Sequence, residues 1–280
     1  VDLGALRRNV RRAIGAGVAG FLVPAMASEV SKLTTAEREA LVRAVLEEAG
    51  GTVPVIGGAS ADSLESRIAN LRRMVSLGCD GVLVALPYED AASYRKSVEA
   101  LAREEPPFLM IQDWDFNGYG APVELIAELF DEVPPFRSLK VEVVPAGVKY
   151  SEVLRATGGR LHVAGGWAVG QMIEGLDRGV HAFMPTGMHE VYCEIYRRYT
   201  ADNRDRAVEL FRSLLPILAF ANQHLDISIH FFKRLLHREG IYPTQAVREP
   251  ILAFDSVHES IATELVELAL SLTREVEESP

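Results

Sequence analysis

Seven short runs of branched and aliphatic residues recur along this chain, and stretches with helical spacing lie between them. The runs cover residues 20–25, 54–59, 81–86, 108–113, 139–142, 162–166 and 182–186. Strand alternating with helix predicts βα units and a parallel sheet. The runs are apolar at consecutive positions, which suits strands covered by helices on both faces. Between them, Thr34-Thr35-Ala36-Glu37 reads as a helix start, a threonine cap with glutamate three residues on. Residues 123–130 have helical spacing after Pro122. A closed βα barrel has eight strands. The chain opens on a helical stretch ending before Gly17, so a further strand is expected upstream of Val1. The competing architecture is an open doubly wound sheet, but no Gly-x-Gly-x-x-Gly follows the first run. The expectation is an α/β fold, a (β/α)8 TIM barrel over residues 1–200. Residues 201–280 read as a helical C-terminal extension of the same domain, with helices at 204–222, up to Gly240, and at 256–275.

In such a barrel, function sits at the C-terminal ends of the strands. That rule draws attention to Lys140, in Ser138-Leu139-Lys140-Val141-Glu142-Val143-Val144. Side chains alternate along a strand, so Leu139, Val141 and Val143 share one face and Lys140 and Glu142 the other. An unpaired ammonium is costly to bury. Lys140 is therefore the partner of Glu142 in an interior ion pair, or an amine nucleophile for Schiff-base chemistry on a carbonyl substrate. Gln112, Asp113, Ser28, Glu29, Gly165, Gly166, Thr186 and His189 also fall at or beyond strand ends, while His162 and His181 fall at strand starts. His189-Glu190 with Cys193 lacks the His-Glu-x-x-His spacing of a zinc helix, and no metal is expected.

The formal net charge of −10 argues against nucleic acid or an anionic membrane as partner, while a local cationic pocket could still take an anionic substrate. Two cysteines, Cys79 and Cys193, make no disulfide framework and suit a reducing cytoplasm. No signal peptide and no apolar segment long enough to span a bilayer is visible.

Several fragments in order resemble the dihydrodipicolinate synthase / N-acetylneuraminate lyase superfamily. Gly17-Val18-Ala19-Gly20, then Ser28-Glu29, then Leu33-Thr34-x-x-Glu37-Arg38 is similar to the segment around the family's Gly-Thr-Thr-Gly-Glu loop. Val53-Pro54-Val55-Ile56-Gly57-Gly58 resembles its third strand, and Gly78-Cys79-Asp80-Gly81-Val82-Leu83-Val84 with Pro87-Tyr88 its fourth. Gly240-Ile241-Tyr242 and Val247-Arg248-x-Pro250 resemble its C-terminal helical region. The resemblance implies a (β/α)8 barrel, a homo-oligomer (dimer or tetramer), and a 2-oxo acid such as pyruvate or a sugar-acid derivative held as an imine without a cofactor. It places the family's Schiff-base lysine at Lys140. It gives the carboxylate-holding loop to Ala27 and Ser28 through backbone amides.

The departures narrow the expectation. The threonine loop reads Ala25-Met26-Ala27-Ser28-Glu29, and both threonine hydroxyls are gone. Where the family has Tyr-Asn at the end of its fifth strand, Gln112-Asp113 stands here; Glu89 replaces its second relay tyrosine. The arginine common in the synthases after that strand is absent, and Phe116 and Asn117 occupy the region. The proton relay is not carried over, so the expected activity is that of a divergent class I lyase rather than dihydrodipicolinate synthase itself. The expected catalytic residues are Lys140, Glu142 and Gln112, with Glu142 as acid/base or counter-ion and Gln112 orienting by hydrogen bonds. The expected substrate-binding residues are Ala27, Ser28, Asp113, Gly165 and Met184; Asp115 and Tyr119 are further relay candidates. The rival readings are a catalytically silent binding barrel and a metal-dependent aldolase.

Overall fold

The computed structural model describes residues 1–166 and 170–278. Its contacts divide into two units, the first made of residues 1–19, 24–53 and 185–280, the second of residues 20–23 and 54–184.

The first unit is helical: α1 (Leu3–Ala16), α2 (Thr35–Ala49), α8 (His189–Thr200), α9 (Arg204–Ala221), α10 (Leu225–Arg238) and α11 (Ser256–Glu278), numbered along the whole chain. The expected cap of α2 is present in both directions: Thr34 Oγ1 accepts from the Glu37 N–H at 3.3 Å, and the Glu37 carboxylate accepts from the Thr34 N–H at 2.9 Å. Gly17 ends α1 at φ 90°, a left-handed cap that glycine adopts without steric cost. Arg12 joins α1 to its neighbours, 2.6 Å from Glu190 and 2.7 Å from Glu239.

The second unit holds a parallel sheet, with seven strands among the described residues. These are β1 (Phe21–Val23), β2 (Val55–Gly58), β3 (Gly81–Ala85), β4 (Leu109–Asp115), β5 (Phe136–Val143), β6 (His162–Gly165) and β7 (Ala182–Phe183). They pair in sequence order with no reversal. That is the order of a βα barrel sheet, whereas a doubly wound sheet reverses at a switch point. Helices α3 (Leu64–Leu77), α4 (Ala91–Ala102), α5 (Val123–Glu132), α6 (Ala146–Ala156) and α7 (Met172–Asp177) connect the strands.

Burial is deepest in the middle of the sheet. Val82, Val84, Leu109, Ile111, Leu139, Val141 and Val163 are completely buried. The expected strand at 139–142 lies inside a longer one, because Phe136 and Ser138 also pair with β4. At the edges the sequence overstates the strands. Only Ala182 and Phe183 of run 182–186 pair with β6, and three residues of run 20–25 pair with β2. An edge strand has a ladder on one side only, so apolar residues there need not extend it.

Candidate active site

Register across the middle strands sets the site. Gln112 is opposite Lys140, Lys140 opposite Ala164, and Ala164 opposite Ala182. These residues share one face of the sheet, together with Glu142 two residues beyond Lys140. The Lys140 ammonium lies 3.2 Å from Glu142 Oε1. Gln112 Nε2 donates a short hydrogen bond to Glu142 Oε2. All three side chains are buried, at 8% exposure for Lys140, 7% for Glu142 and 4% for Gln112. The carboxylate is thus held by a cation on one oxygen and an amide on the other, close to the C-terminal ends of β4 and β5.

Gly166 makes this packing possible. A Cβ at position 166 would stand 2.0 Å from Glu142 Oε1, so the carboxylate lies directly on the glycine backbone. Gly165, the glycine expected to meet substrate, faces away. Its Cβ would meet the Phe183 ring and the Tyr150 hydroxyl at 3.0 Å, on the face opposite Lys140. The roles of the two glycines therefore separate by alternation, and the adjacent Gly166 shares the Lys140 face. Met184 follows β7 on the Lys140 face, and its N–H donates to Gly165 O at 3.2 Å.

Asp113 is not with Gln112 but on the opposite face, buried to 1% exposure. Its carboxylate pairs at very short range with Lys149 of α6, which is completely buried. Burial pushes the Asp113 carboxyl above its ordinary value, against the opposing pull of Lys149. Burial likewise pushes the Lys149 ammonium below its ordinary value, against the pull of Asp113. Asp113 Oδ1 also accepts the Ala121 N–H at 3.0 Å. Asp113, expected as a substrate contact, thus pairs with a lysine on the face opposite Lys140, and Lys149 is a residue that sequence reasoning missed. Its signal was present: Ala146-Gly147-Val148-Lys149-Tyr150 puts a lysine on a helix face otherwise meeting strands.

The relay candidates are engaged in the loop after β4. Asp115 accepts the N–H groups of Asn117 at 2.9 Å and Gly120 at 3.3 Å. The Tyr119 hydroxyl donates to Glu152, and burial together with that carboxylate raises its pKa.

In the first unit, Ala27 and Ser28 lie in a 3-10 turn, Met26–Ser28. The Ser28 N–H donates to Ala25 O at 2.9 Å, and the Ser28 hydroxyl accepts the Ala25 N–H at 3.3 Å. Ser28 is therefore committed to the turn. The Ala27 N–H makes no hydrogen bond among the described residues. Glu29 closes the turn at φ 52°, bonded to Lys233 and to the Arg248 N–H at 2.8 Å. Burial works against its charge, but these partners outweigh it and hold the carboxyl below its ordinary value.

Elsewhere, His162 and His181 stack at strand starts with centroids 5.2 Å apart. Among the described residues no group of three or more His, Cys, Asp or Glu side chains could hold a metal ion. No described helix is long and apolar enough to cross a membrane.

A parallel βα sheet whose strands pair in chain order is the sheet of a βα barrel. A sequence model of the Dihydrodipicolinate synthetase family matches residues 1–269, and the chain belongs to that family. It is 25% identical to an L-2-keto-3-deoxyarabonate dehydratase of Azospirillum brasilense, over 97% of this chain and 89% of that protein. It is 31% identical to a 4-hydroxy-tetrahydrodipicolinate synthase of Methanospirillum hungatei, over 46% of this chain and 45% of that protein. The second match thus spans less than half of either chain. The 4-hydroxy-tetrahydrodipicolinate synthase structure from Methylacidiphilum fumariolicum superposes with a TM-score of 0.87 at 18% identity, covering 99% of this chain and 93% of that one. That likeness establishes the fold. Membership places the chain in a family of lyases and dehydratases.

Proposed function

We propose that this protein is a class I lyase that holds a 2-oxo acid as an imine on Lys140. The observation that carries the reading is the 3.2 Å contact between the Lys140 ammonium and Glu142, on a sheet face where Gln112 fixes the other carboxylate oxygen. Neither group is placed to stabilise the fold well, since a buried ion pair returns little over an apolar pair.

The chemistry follows from that pair. As the free amine, Lys140 attacks C2 of the ketone and forms a carbinolamine, with Glu142 within reach to take the proton. Loss of water gives a protonated imine, which draws electrons from C3. Glu142 then removes a proton from C3, or the C3–C4 bond breaks. In the first branch the C4–oxygen bond breaks and Glu142 returns the proton taken from C3 to the departing hydroxyl, which leaves as water. In the second Glu142 takes the proton of the C4 hydroxyl as the C3–C4 bond breaks, an aldehyde leaves, and that proton returns to C3 of the enamine to restore the imine. Hydrolysis of the imine frees Lys140 and the oxo product. Gln112 transfers no proton; its amide keeps Glu142 oriented. Similarity along nearly the whole chain to a sugar-acid dehydratase favours the carbon–oxygen branch.

Borohydride reduction in the presence of pyruvate tests the reading, because it converts an imine to a stable amine readable by peptide mass spectrometry. The adduct is expected on Lys140. No adduct there across a panel of 2-oxo acids would overturn the proposal and favour a binding barrel that has lost catalysis.

A further inference from the structure

The loop after β4 is held by a device that the chemistry at Lys140 does not itself need. Trp114 is the last residue but one of the strand and Phe116 follows its end, 42% and 47% exposed, with their rings edge to face at 5.7 Å. Alternation puts Trp114 on the face of Gln112, and its register partner on β5 is Glu142. Helix α6 grips the loop from behind. The Lys149 ammonium donates to Tyr119 O and to Ala121 O, the latter at 2.7 Å, and stands 4.9 Å from the centre of the Tyr119 ring. Glu152, one turn further along α6, accepts the Tyr119 hydroxyl. Gly120, at φ 66°, leaves no room for a side chain, since its Cβ would meet Asp113 Oδ1 at 2.2 Å. The loop after the two exposed rings is therefore fixed at Tyr119, Gly120 and Ala121, while Trp114 itself is held by the pairing of β4 with β5.

Near the strand ends, the described residues of that face include Ala85, opposite Gln112, then Gly166 and Met184, with the Ser60 hydroxyl accepting the Ala85 N–H at 2.9 Å. The polar groups Gln112, Lys140 and Glu142 are engaged with one another and belong to the reacting end. A polyhydroxylated tail would need partners for most of its hydroxyls, and the ring pair offers a single indole N–H. Fixed aromatic surface suits an apolar, planar group instead.

We propose that Trp114, backed by Phe116, is the specificity-determining wall of the Lys140 site, and that it takes an apolar group carried by the 2-oxo acid beyond its reacting carbons. This rests on the Schiff-base reading of Lys140. Lys149 and Glu152 are positioning residues, acting through the loop.

The test is competitive borohydride trapping, read by mass spectrometry. One mixture contains equal pyruvate and 4-phenyl-2-oxobutanoate; the other contains equal pyruvate and a 2-keto-3-deoxypentonate. The phenyl acid is expected to outcompete the polyhydroxylated acid, each relative to pyruvate, by about tenfold or more, the range that one apolar contact surface supplies. Trp114→Ala is expected to remove most of that preference and Trp114→Phe to restore it, with melting temperatures confirming that both variants fold. Equal preference for the two acids, or a preference unmoved by Trp114→Ala, would overturn the proposal. If none of the acids labels Lys140, the Schiff-base reading fails instead. Calorimetric titration with the phenyl acid then decides. Binding weakened about tenfold in Trp114→Ala supports the wall, and equal or absent binding overturns it.

Discussion

At the scale of single residues, the carboxylate of Glu142 is the group on which the reading turns. Glu142→Gln keeps the shape and loses the proton acceptor. It is expected to lower turnover by roughly 10²–10⁴-fold, the usual contribution of a positioned acid/base, while an imine with pyruvate still forms. Steady-state rates beside trapping yields check both halves; full turnover in this variant would remove Glu142 from the mechanism. Gly166→Ala acts on the same group by sterics, since the added carbon would sit 2.0 Å from Glu142 Oε1. Turnover is expected to fall at least about tenfold, with a stability loss of about 1–3 kcal/mol from overpacking. Lys149 behaves differently. Lys149→Met leaves the buried Asp113 carboxylate without its cation and is expected to cost about 3–5 kcal/mol in denaturant titration. The double change Asp113→Asn with Lys149→Met is expected to recover part of that loss. An additive result would mean the two charges do not act as a pair.

At the scale of elements, the central strands carry the stability of the sheet. β3, β4 and β5 each have two neighbours and lie under helices, whereas β1 and β7 are short and, among the described residues, paired on one side. Hydrogen exchange is therefore expected to be slowest at Val82, Ile111, Leu139 and Val141, and faster by orders of magnitude at Ala182 and Phe183. Equal protection of centre and edge would contradict this picture. The central strands were legible in the sequence as apolar runs bounded by glycine, proline or charge. The outer strands were drawn too long, because an apolar residue beyond the end of a ladder reads the same as one within it. Alternation from Leu139 to Val143 was enough to place Lys140 and Glu142 together. It could not reveal which helix residue would meet Asp113, because that contact depends on the packing of α6 against the sheet. Nor could it tell Gly165 from Gly166 before the register with β5 was known.

At the scale of the whole molecule, desolvation lowers the pKa of several histidines. Burial lowers the His162 pKa first, and the neighbouring His181 lowers it further. The unfolded chain, with histidine near its ordinary value of about 6.5, therefore takes up protons before the folded one does. The associated stability is fully present above that pH and is lost as the pH falls toward the lower folded value. His189, half-buried, has its pKa moved the same way by desolvation. The melting temperature is expected to drop between pH 7 and pH 5, and His162→Asn to flatten part of that slope. An unchanged slope in the variant would show that other groups dominate acid unfolding.

The family and its sheet order were legible before any coordinates, since ordered fragments such as Val53 to Gly58 and Gly78 to Val84 lie on the strand entries. Gln112 and Glu142 were visible as residue types where the resemblance drew attention to them. Their mutual hydrogen bond was not, because two residues thirty apart in sequence meet only through the pairing of β4 with β5.

The central claim is that Lys140 is a nucleophile and not only the partner of Glu142. A crystal soaked with pyruvate tests it most directly. The account predicts density continuous from Lys140 Nζ to C2 of the ligand, with Glu142 within hydrogen-bonding reach of the bound acid. Pyruvate seated elsewhere, or beside a Lys140 still paired with Glu142 at the same distance, would contradict it.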